Sequence, residues 1–336
     1  MGKVKLLAVG PEGELATAMG AALCTTSSDG TTQGGNLAAV VWLLAQGVSP
    51  SLPCLVTTRP QQSLCAVEPC LEHPLLVAAA QLNLGAIKAL LAAGADVNRR
   101  ADFGRWSALE YVLAHTPRER YKDYSRAALL LLAAGADPAC QRADGRGRAI
   151  DFAGRCGDSE VFAALLSAGA SPAPRAMFTN LVDGEHQATI HYLSLAAERN
   201  HVGVLRLAIA AGVDVNLRGL DAHKKTLLHD AVYFGGNDAA VALIEELGAD
   251  VNALYRARRL YVGKKVTVGI EVKTEGVAIE SEFGENVGLW EDRTALDLVL
   301  AEPDVMRRTT PAVIAALRAK GAKRAAELGG ARGRDA

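Results

Sequence analysis

Apolar residues recur along the chain in segments that have the spacing of helices. A longer segment ends in Leu-Leu, two small residues, glycine and a short polar turn, as in IKALLAAGADVN (87–98) and VLRLAIAAGVDVN (204–216). A shorter apolar segment lies upstream, as in HPLLVAAA (73–80) and TLLHDAVYF (226–234). Because each longer segment ends at glycine, the pattern predicts a repeated pair of helices, a short inner one followed by a longer outer one.

The predicted outer helices end at glycines with unequal spacing. These glycines are Gly47, Gly94, Gly135, Gly169, Gly212, Gly248 and Gly321. Each is expected to adopt positive φ, which glycine tolerates at a helix end. The Asp and Asn residues that follow are expected to satisfy local backbone groups. Self-similarity of this kind predicts a repeat architecture.

The unit resembles the ankyrin repeat, which has about 33 residues and a T-P-L-H-x-A-A signature. The local matches are HPLLVAAA and TLLHDAV together with GADVN. The resemblance implies a mostly α ankyrin-repeat solenoid of about seven helix-turn-helix units. It also implies that His229, at the signature histidine, hydrogen-bonds to the backbone of a neighbouring turn. Glu110, Asp151 and Asp297 replace it in other units and are expected to act similarly.

Irregular segments interrupt the repeat. We expect an N-terminal cap and split first repeat over 1–34, the solenoid over 35–321 and a flexible tail over 322–336. The predicted insertions are 51–72, 115–126, 173–188 and 253–291. In the last of these, VTVGIEV (266–272) and VAIESEF (277–283) alternate apolar and polar residues around KTEG. This alternation predicts a β-hairpin insertion before the last unit.

The composition excludes several classes of protein. Lys and Arg number 36 against 37 Asp and Glu, which gives a net charge of −1 and disfavours a dedicated nucleic-acid binder. No apolar run reaches the ~18 residues that span a membrane. The six cysteines are ordinary for a reduced compartment. We therefore expect a cytoplasmic protein that binds neither nucleic acid nor membrane and is monomeric when free.

Catalytic motifs are absent from the sequence. It has no H-E-x-x-H, G-x-S-x-G, P-loop or paired C-x-x-C zinc pattern, so we expect no enzyme activity and no cofactor. Gly10-x-x-Gly13, in VKLLAVGPEGELATAMG (4–20), allows a nucleotide-binding interpretation. An N-terminal cap over the first repeat is the alternative.

One set of residues has identities suited to zinc. It consists of Cys54, Cys65, Cys70 and His73. The set lacks a C-x-x-C pair, and His73 occupies the Thr position of the ankyrin turn, so buried free thiols are the other interpretation. A metal-dependent regulator or enzyme that uses this insertion stays an alternative function.

The resemblance implies that partner contacts come mainly from turn tips and from the exposed ends of inner helices. Phe103 and Trp106 lie in one such turn, and Tyr233 and Phe234 end an inner helix. Aromatic and Arg residues dominate binding energy at protein interfaces. The Lys264-Lys265 turn favours either a soluble β edge or contact with an acidic partner. The predicted protein-binding residues are Phe103, Arg105, Trp106, His115, Arg146, Arg155, Arg199, His223, Lys225, Tyr233, Phe234, Tyr261, Lys264 and Lys265.

The resulting functional expectation is a non-catalytic protein–protein interaction module. It would bind another protein through its concave face and insertion loops. An immunity or antitoxin factor that occludes a toxin is the sharper form of this hypothesis. A host-directed bacterial effector is another alternative.

Overall fold

A computed structural model gives the structure of the chain and divides it into two compact units. The N-terminal unit is Met1–Met177 with Ala210–Gly212, and the C-terminal unit is Phe178–Ile209 with Val213–Ala336. The residues described are 11–23, 36–56, 70–101, 106–114, 121–139, 147–174, 177–178, 189–219, 224–258 and 290–328. Across these ranges, no helix has the length and apolar character needed to cross a membrane.

The N-terminal unit consists of successive pairs of helices. The pairs are α1 (Pro11–Leu23) with α2 (Leu37–Ala45), α3 (Pro74–Ala80) with α4 (Leu84–Ala92), α5 (Ala108–Ala114) with α6 (Tyr121–Ala133), and α7 (Ala149–Cys156) with α8 (Ser159–Ser167). Inner helices α1, α3, α5 and α7 pack on one another in order, and the outer helices do the same. Every residue of α3 is buried, because its short alanine side chains let the neighbouring helices approach closely.

The C-terminal unit repeats the arrangement with one addition. Its pairs are α9 (Tyr192–Glu198) with α10 (Val202–Ala210), α11 (Leu227–Phe234) with α12 (Asn237–Glu245), and α13 (Ala295–Ala301) with α15 (Pro311–Ala319). A further short helix, α14 (Pro303–Arg308), lies between α13 and α15 and packs on both α13 and α11. The sequence pattern did not predict α14, because its six residues are too few to show helical periodicity.

The turns that close the outer helices have the predicted conformation. All seven glycines named above have positive φ, between 75° and 97°. The residues that follow act over a longer range than predicted. Asp96 Oδ1 accepts a local hydrogen bond from the Asn98 backbone N–H at 2.9 Å, whereas the Asn98 side chain reaches the next helix pair. Its Nδ2 donates to the Gly135 carbonyl at 3.1 Å, and its Oδ1 accepts from the Asp137 N–H at 2.7 Å.

The same asparagine bridge recurs in the C-terminal unit. Asn216 Oδ1 accepts from the Asp250 N–H at 2.8 Å, and Asn252 Oδ1 accepts from the Lys323 N–H at 2.8 Å. Each bridge satisfies a backbone donor of the following pair, which fixes the position of one pair on the next.

Polar side chains cap the start of their own inner helices, whereas the resemblance implied bonds to the backbone of a neighbouring turn. Glu110 Oε2 accepts from the Ser107 N–H at 2.7 Å, Asp151 Oδ2 from the Arg148 N–H at 2.9 Å, and Asp297 Oδ2 from the Thr294 N–H at 3.1 Å. These carboxylates therefore do replace the signature histidine in satisfying backbone groups. Asp297 also accepts from the Ala325 N–H in a neighbouring turn, at 2.8 Å. Burial opposes its ionisation, but the hydrogen bonds from Ala325, Arg324 and Thr294 together hold its pKa below the ordinary value.

Short antiparallel pairings form the bases of the insertions. Strand β1 (Cys54–Val56) pairs with β2 (Cys70–Glu72), and β5 (Tyr255–Arg258) pairs with β6 (Trp290–Arg293). A further two-stranded sheet joins β3 (Met177–Phe178) and β4 (Thr189–Ile190). Isolated antiparallel β-bridges join Arg100 with Ser107 and Arg218 with Thr226. Each bridge also precedes an inner helix, but the connection that it closes is shorter. The insertions at 51–72, 173–188 and 253–291 thus extend the turn before an inner helix. The predicted strands at 266–272 and 277–283 lie outside the described residues.

Two predicted boundaries were wrong. The insertion predicted over 115–126 is shorter, because α6 begins at Tyr121. Tyr124, Ala127, Ala128 and Leu131 are buried with the i, i+3, i+4, i+7 spacing of a helix face. The flexible tail predicted from Ala322 begins too early as well. Thr294 Oγ1 donates to the Lys323 carbonyl at 2.9 Å, and Ala325 is buried. Residues 329–336 lie outside the described residues.

Gly236 lets the turn between α11 and α12 approach the end of α9. A Cβ atom built on Gly236 would lie 2.2 Å from the Ala197 carbonyl oxygen. We predict that Gly236→Ala lowers the free energy of unfolding of the C-terminal unit by about 2 kcal/mol, since the backbone must move to relieve this overlap. Chemical denaturation measures the change.

Gly248→Ala is the matched control. Gly248 has a φ of +77° but a Cβ there meets no atom within 4 Å, so only backbone strain of about 1 kcal/mol is expected. Equal stability of Gly236→Ala and the wild type would contradict the close contact.

Candidate protein-interaction surface

The end of α11 presents two adjacent aromatic side chains to solvent. Tyr233 is 37% exposed and Phe234 is 43% exposed, whereas the preceding residues from Leu227 to Val232 are buried. The two rings meet edge to face, with centroids 4.9 Å apart and an interplanar angle of 82°. Gly235 ends the helix directly after them with a φ of 85°. The last turn of α11 therefore extends past the core and exposes large apolar side chains.

Lys225 lies against the same aromatic pair. Its Nζ is 4.0 Å from the centroid of the Tyr233 ring and 5.9 Å from that of Tyr255. An ammonium group over an aromatic face is attracted by the ring quadrupole. Lys225 precedes α11 by two residues and Tyr233 lies in its last turn, so the lysine side chain runs along the helix. We call Lys225, Tyr233 and Phe234 the aromatic surface.

A buried histidine supports this surface from below. His229 Nδ1 accepts from the Thr226 backbone N–H at 3.1 Å, and its ring lies 4.7 Å from that of Tyr255. Nε2 has no partner with normal hydrogen-bond geometry, although the Ala253 backbone is close enough to raise the pKa slightly. Burial, followed by the charges of Lys225 and Arg218, lowers the pKa of His229 to about 3. His229 is therefore neutral and structural. Its ring partner, Tyr255, has its pKa raised by burial to about 12.

The predicted binding residues fall into different places. Lys225, Tyr233 and Phe234 come together, and Arg199 is exposed at the end of α9 in the same unit. Trp106 and Arg155 belong to the N-terminal unit and are half-buried. The Trp106 ring lies 5.2 Å from that of buried Tyr111, and the Arg155 guanidinium lies 5.0 Å from the Phe152 ring. Outside the described residues lie Phe103, Arg105, His115, Arg146, His223, Tyr261, Lys264 and Lys265.

The candidate zinc residues have other partners. The Cys54 thiol donates to the Glu72 carbonyl at 3.2 Å. His73 Nδ1 donates to the Ser51 carbonyl at 3.2 Å, and Nε2 accepts from Arg99 Nε at 2.9 Å. Both ring nitrogens of His73 are thus occupied, which does not fit a zinc ligand. No group of three metal-binding side chains occurs in the part of the chain that the structure describes. Cys65 and the side chain of Cys70 lie outside that part.

Sequence reasoning missed an exposed apolar helix in the N-terminal unit. The outward residues of α2 include Leu37, Val41 and Trp42, and Trp42 is 61% exposed. The signal was present in the sequence, because LAAVVWLLA contains no polar or charged residue. A helix that is apolar on all sides is normally buried. Sequence reasoning also gave no reason to place Lys225 against Tyr233.

The buried neutral His229 predicts how stability depends on pH. In the unfolded chain this imidazole gains a proton near its ordinary pKa of 6.5, whereas in the folded chain it stays neutral down to about 3. Its stabilising effect is therefore complete above pH 6.5 and is lost progressively between pH 6.5 and 3. From about pH 7.5 to about 5.5 we expect the wild type to lose about 1 kcal/mol more stability than His229→Gln. Denaturant unfolding at each pH measures the difference.

His201→Gln is the matched control, because His201 lies in the same unit and is only half-buried. This variant should keep the wild-type dependence on pH. An identical dependence for His229→Gln and the wild type would show that His229 becomes charged in the folded protein.

Comparison with solved structures finds a similar fold. No protein-family model matches the sequence, and no curated protein matches it. Among solved structures, the chain is similar to the ankyrin repeat domain of human ASB11, at 23% identity over 74% of this chain and 84% of that chain, with a TM-score of 0.45. At that TM-score the fold assignment rests on the helix pairs themselves, with their glycine turns, inner-helix caps and asparagine bridges. That internal geometry is the arrangement expected from the resemblance of the sequence to the ankyrin repeat.

Proposed function

We propose that this chain is a non-catalytic module that binds another protein through the aromatic surface. The observation that carries the proposal is the exposed Tyr233–Phe234 pair at the end of an inner helix. Tyrosine and other aromatic side chains supply a large share of binding energy when a partner buries them. Repeat proteins of this kind use the surface formed by successive units to hold their partners.

The aromatic surface is also fixed in place before binding. Phe234 and Lys225 both contact the Tyr233 ring, and the turn that follows is tied to α14. Asn237 Nδ2 donates to the Arg308 carbonyl at 2.9 Å, and Asn237 Oδ1 accepts from the Thr310 N–H at 2.9 Å. A surface that is already ordered loses less conformational entropy when a partner binds.

The inhibitor hypothesis is the finer form of this proposal. An immunity-type inhibitor needs an element that can enter the cleft of its target. The β5–β6 pairing forms the base of the longest insertion, and Tyr255 within it contacts His229 beneath the aromatic surface. This adjacency supports joint contact of a partner by the aromatic surface and by segment 259–289, which holds Tyr261, Lys264 and Lys265.

Removal of the Tyr233 side chain tests the aromatic surface. We predict that Tyr233→Ala weakens partner binding by at least ~2 kcal/mol, or about 30-fold in Kd, and leaves the unfolding temperature nearly unchanged. The partner is first captured from the native source with the tagged chain and then purified. Calorimetric titration with each variant gives the affinity.

Two variants make this result specific. Tyr233→Phe keeps the ring and should bind like the wild type. Trp106→Ala should instead lower stability, because the Trp106 ring packs on buried Tyr111. A large loss of stability for Tyr233→Ala with unchanged binding would show that Tyr233 is a core residue, and the proposed function would then fail at this surface.

Deletion of the longest insertion tests its separate role. Arg258 and Trp290 are paired across the antiparallel ladder, so an Asn-Gly turn in place of 259–289 can join them. We predict that the unfolding temperature changes by less than about 3 °C, since the helix pairs keep their contacts, while partner affinity falls at least about tenfold. Unchanged affinity would exclude the insertion from the interface, and a collapse of stability would show that the fold requires it.

A further inference from the structure

Three cationic residues lie in or near the aromatic surface: Lys225, Arg218 and Arg308. Lys225 lies on Tyr233 itself. Arg218 lies beside Lys225 at the base of the same turn, where the Gly219 N–H donates to the Lys225 carbonyl at 2.6 Å and Arg218 pairs with Thr226. On the other side, the Arg308 side chain covers Gly235, since a Cβ on Gly235 would lie 3.3 Å from Arg308 Cβ and 3.9 Å from its Cδ. Cationic residues thus lie on the Tyr233 ring and against Gly235, the residue that follows the aromatic pair.

Arg218, Lys225 and Arg308 differ in their partners from several arginines of the same unit that pair with carboxylates. Arg206 forms a bidentate pair with Glu246, Arg293 pairs with Glu302, and Arg307 pairs with Asp304. Arg218 instead donates to the backbone carbonyls of Lys224 and Leu254, at 3.3 and 2.6 Å. Within the residues that the structure describes, no carboxylate lies within 4.0 Å of the charged groups of Arg218, Lys225 or Arg308.

The buried histidine responds to this positive charge. After burial, the charges of Lys225 and Arg218 are the next largest causes that lower the pKa of His229. Their positive potential therefore reaches His229 beneath the aromatic surface.

We infer that the partner presents an acidic segment in which Asp or Glu carboxylates flank an aromatic or large apolar side chain. This inference rests on the proposed function and names the chemistry of the partner. The apolar side chain would pack on Tyr233 and Phe234, while the flanking carboxylates would pair with Lys225, Arg218 and Arg308. Opposite charge around an apolar centre increases the rate of association and excludes partners of the wrong sign. A basic or uncharged segment would leave these cations unpaired.

Selection of random-sequence peptides displayed on phage against the full chain tests the inference. We expect the bound peptides to be enriched at least about threefold in acidic residues over the starting library, with an aromatic or large apolar residue among them. Synthetic copies of the selected peptides are then titrated by fluorescence anisotropy. Their affinity should fall about tenfold between ~0.05 M and ~0.5 M salt.

Charge reversal locates the contact. Lys225→Glu with Arg308→Glu should weaken peptide binding at least about tenfold. Lys320→Glu with Arg318→Glu makes the same change in net charge at the exposed end of α15 and should bind like the wild type. If the first variant is unstable, Arg308→Glu alone serves, because the Arg308 side chain is exposed.

The outcomes separate this inference from the proposed function. Selected peptides that are neutral or basic but lose binding with Tyr233→Ala would overturn the acidic chemistry and leave the proposed function standing. Peptides insensitive to both Tyr233→Ala and charge reversal would remove both. Salt-sensitive binding of single-stranded or duplex nucleic acid that competes with the peptides would also overturn the assignment to an acidic protein segment.

Discussion

The asparagine that follows three of the glycine turns, at Gly94, Gly212 and Gly248, connects one helix pair to the next. The side chain of Asn98 meets both a carbonyl and an N–H of the following pair, more than thirty residues away. Asn216 and Asn252 make the equivalent contact in the C-terminal unit. Because a short amide side chain has little reach, the next pair can occupy only a narrow range of positions.

The aromatic surface depends on the same kind of contact. Asn237 binds backbone groups at Arg308 and Thr310, and the neighbouring Gly236 rests against the Ala197 carbonyl. The end of α11 is therefore held from both sides within the C-terminal unit. Tyr233 and Phe234 gain a fixed direction from this backbone, and Arg308 is brought next to them by the asparagine contact. The contacts that hold this turn thus lie next to the residues proposed to bind a partner.

Much of the fold could be predicted from the sequence, because the repeated signals are local. Positive φ at the seven glycines follows from glycine chemistry. The equivalence of Glu110, Asp151 and Asp297 to His229 predicts contact with a neighbouring turn, which Asp297 makes, whereas Glu110 and Asp151 cap their own helices. What could not be predicted depends on contacts between distant residues. Ala325 in the supposed tail is ordered by Asp297, and Tyr124 lies hidden among charged residues that obscure the helical face. Helix α14 is too short to leave a periodic pattern.

The residue types of the candidate site could be predicted from the sequence. Which of these residues contact one another could not. Aromatic and cationic residues at turns and helix ends are visible in the sequence, and Lys225, Tyr233 and Phe234 were among them. Their contact depends on how the lysine side chain lies along α11, which no spacing rule specifies. Trp106 had the same sequence signals, yet its ring packs on Tyr111 and is half-buried. Whether an aromatic side chain is exposed or buried depends on how the helix pairs pack on one another. That exposure decides whether the residue can contact a partner or belongs to the core.

The antiparallel strand pairs at the bases of the insertions have a consequence for the evolution of this chain. The paired ends hold the backbone at a fixed separation before the next inner helix begins, whatever lies between them. Entropy of loop closure grows only with the logarithm of length, so segment 259–289 costs about 1 kcal/mol more to close than the shorter connection at 219–225. The segment between two paired strands can therefore change in length and sequence while the helix pairs remain in place. During evolution, one such segment can be replaced by another without a change in the helix pairs.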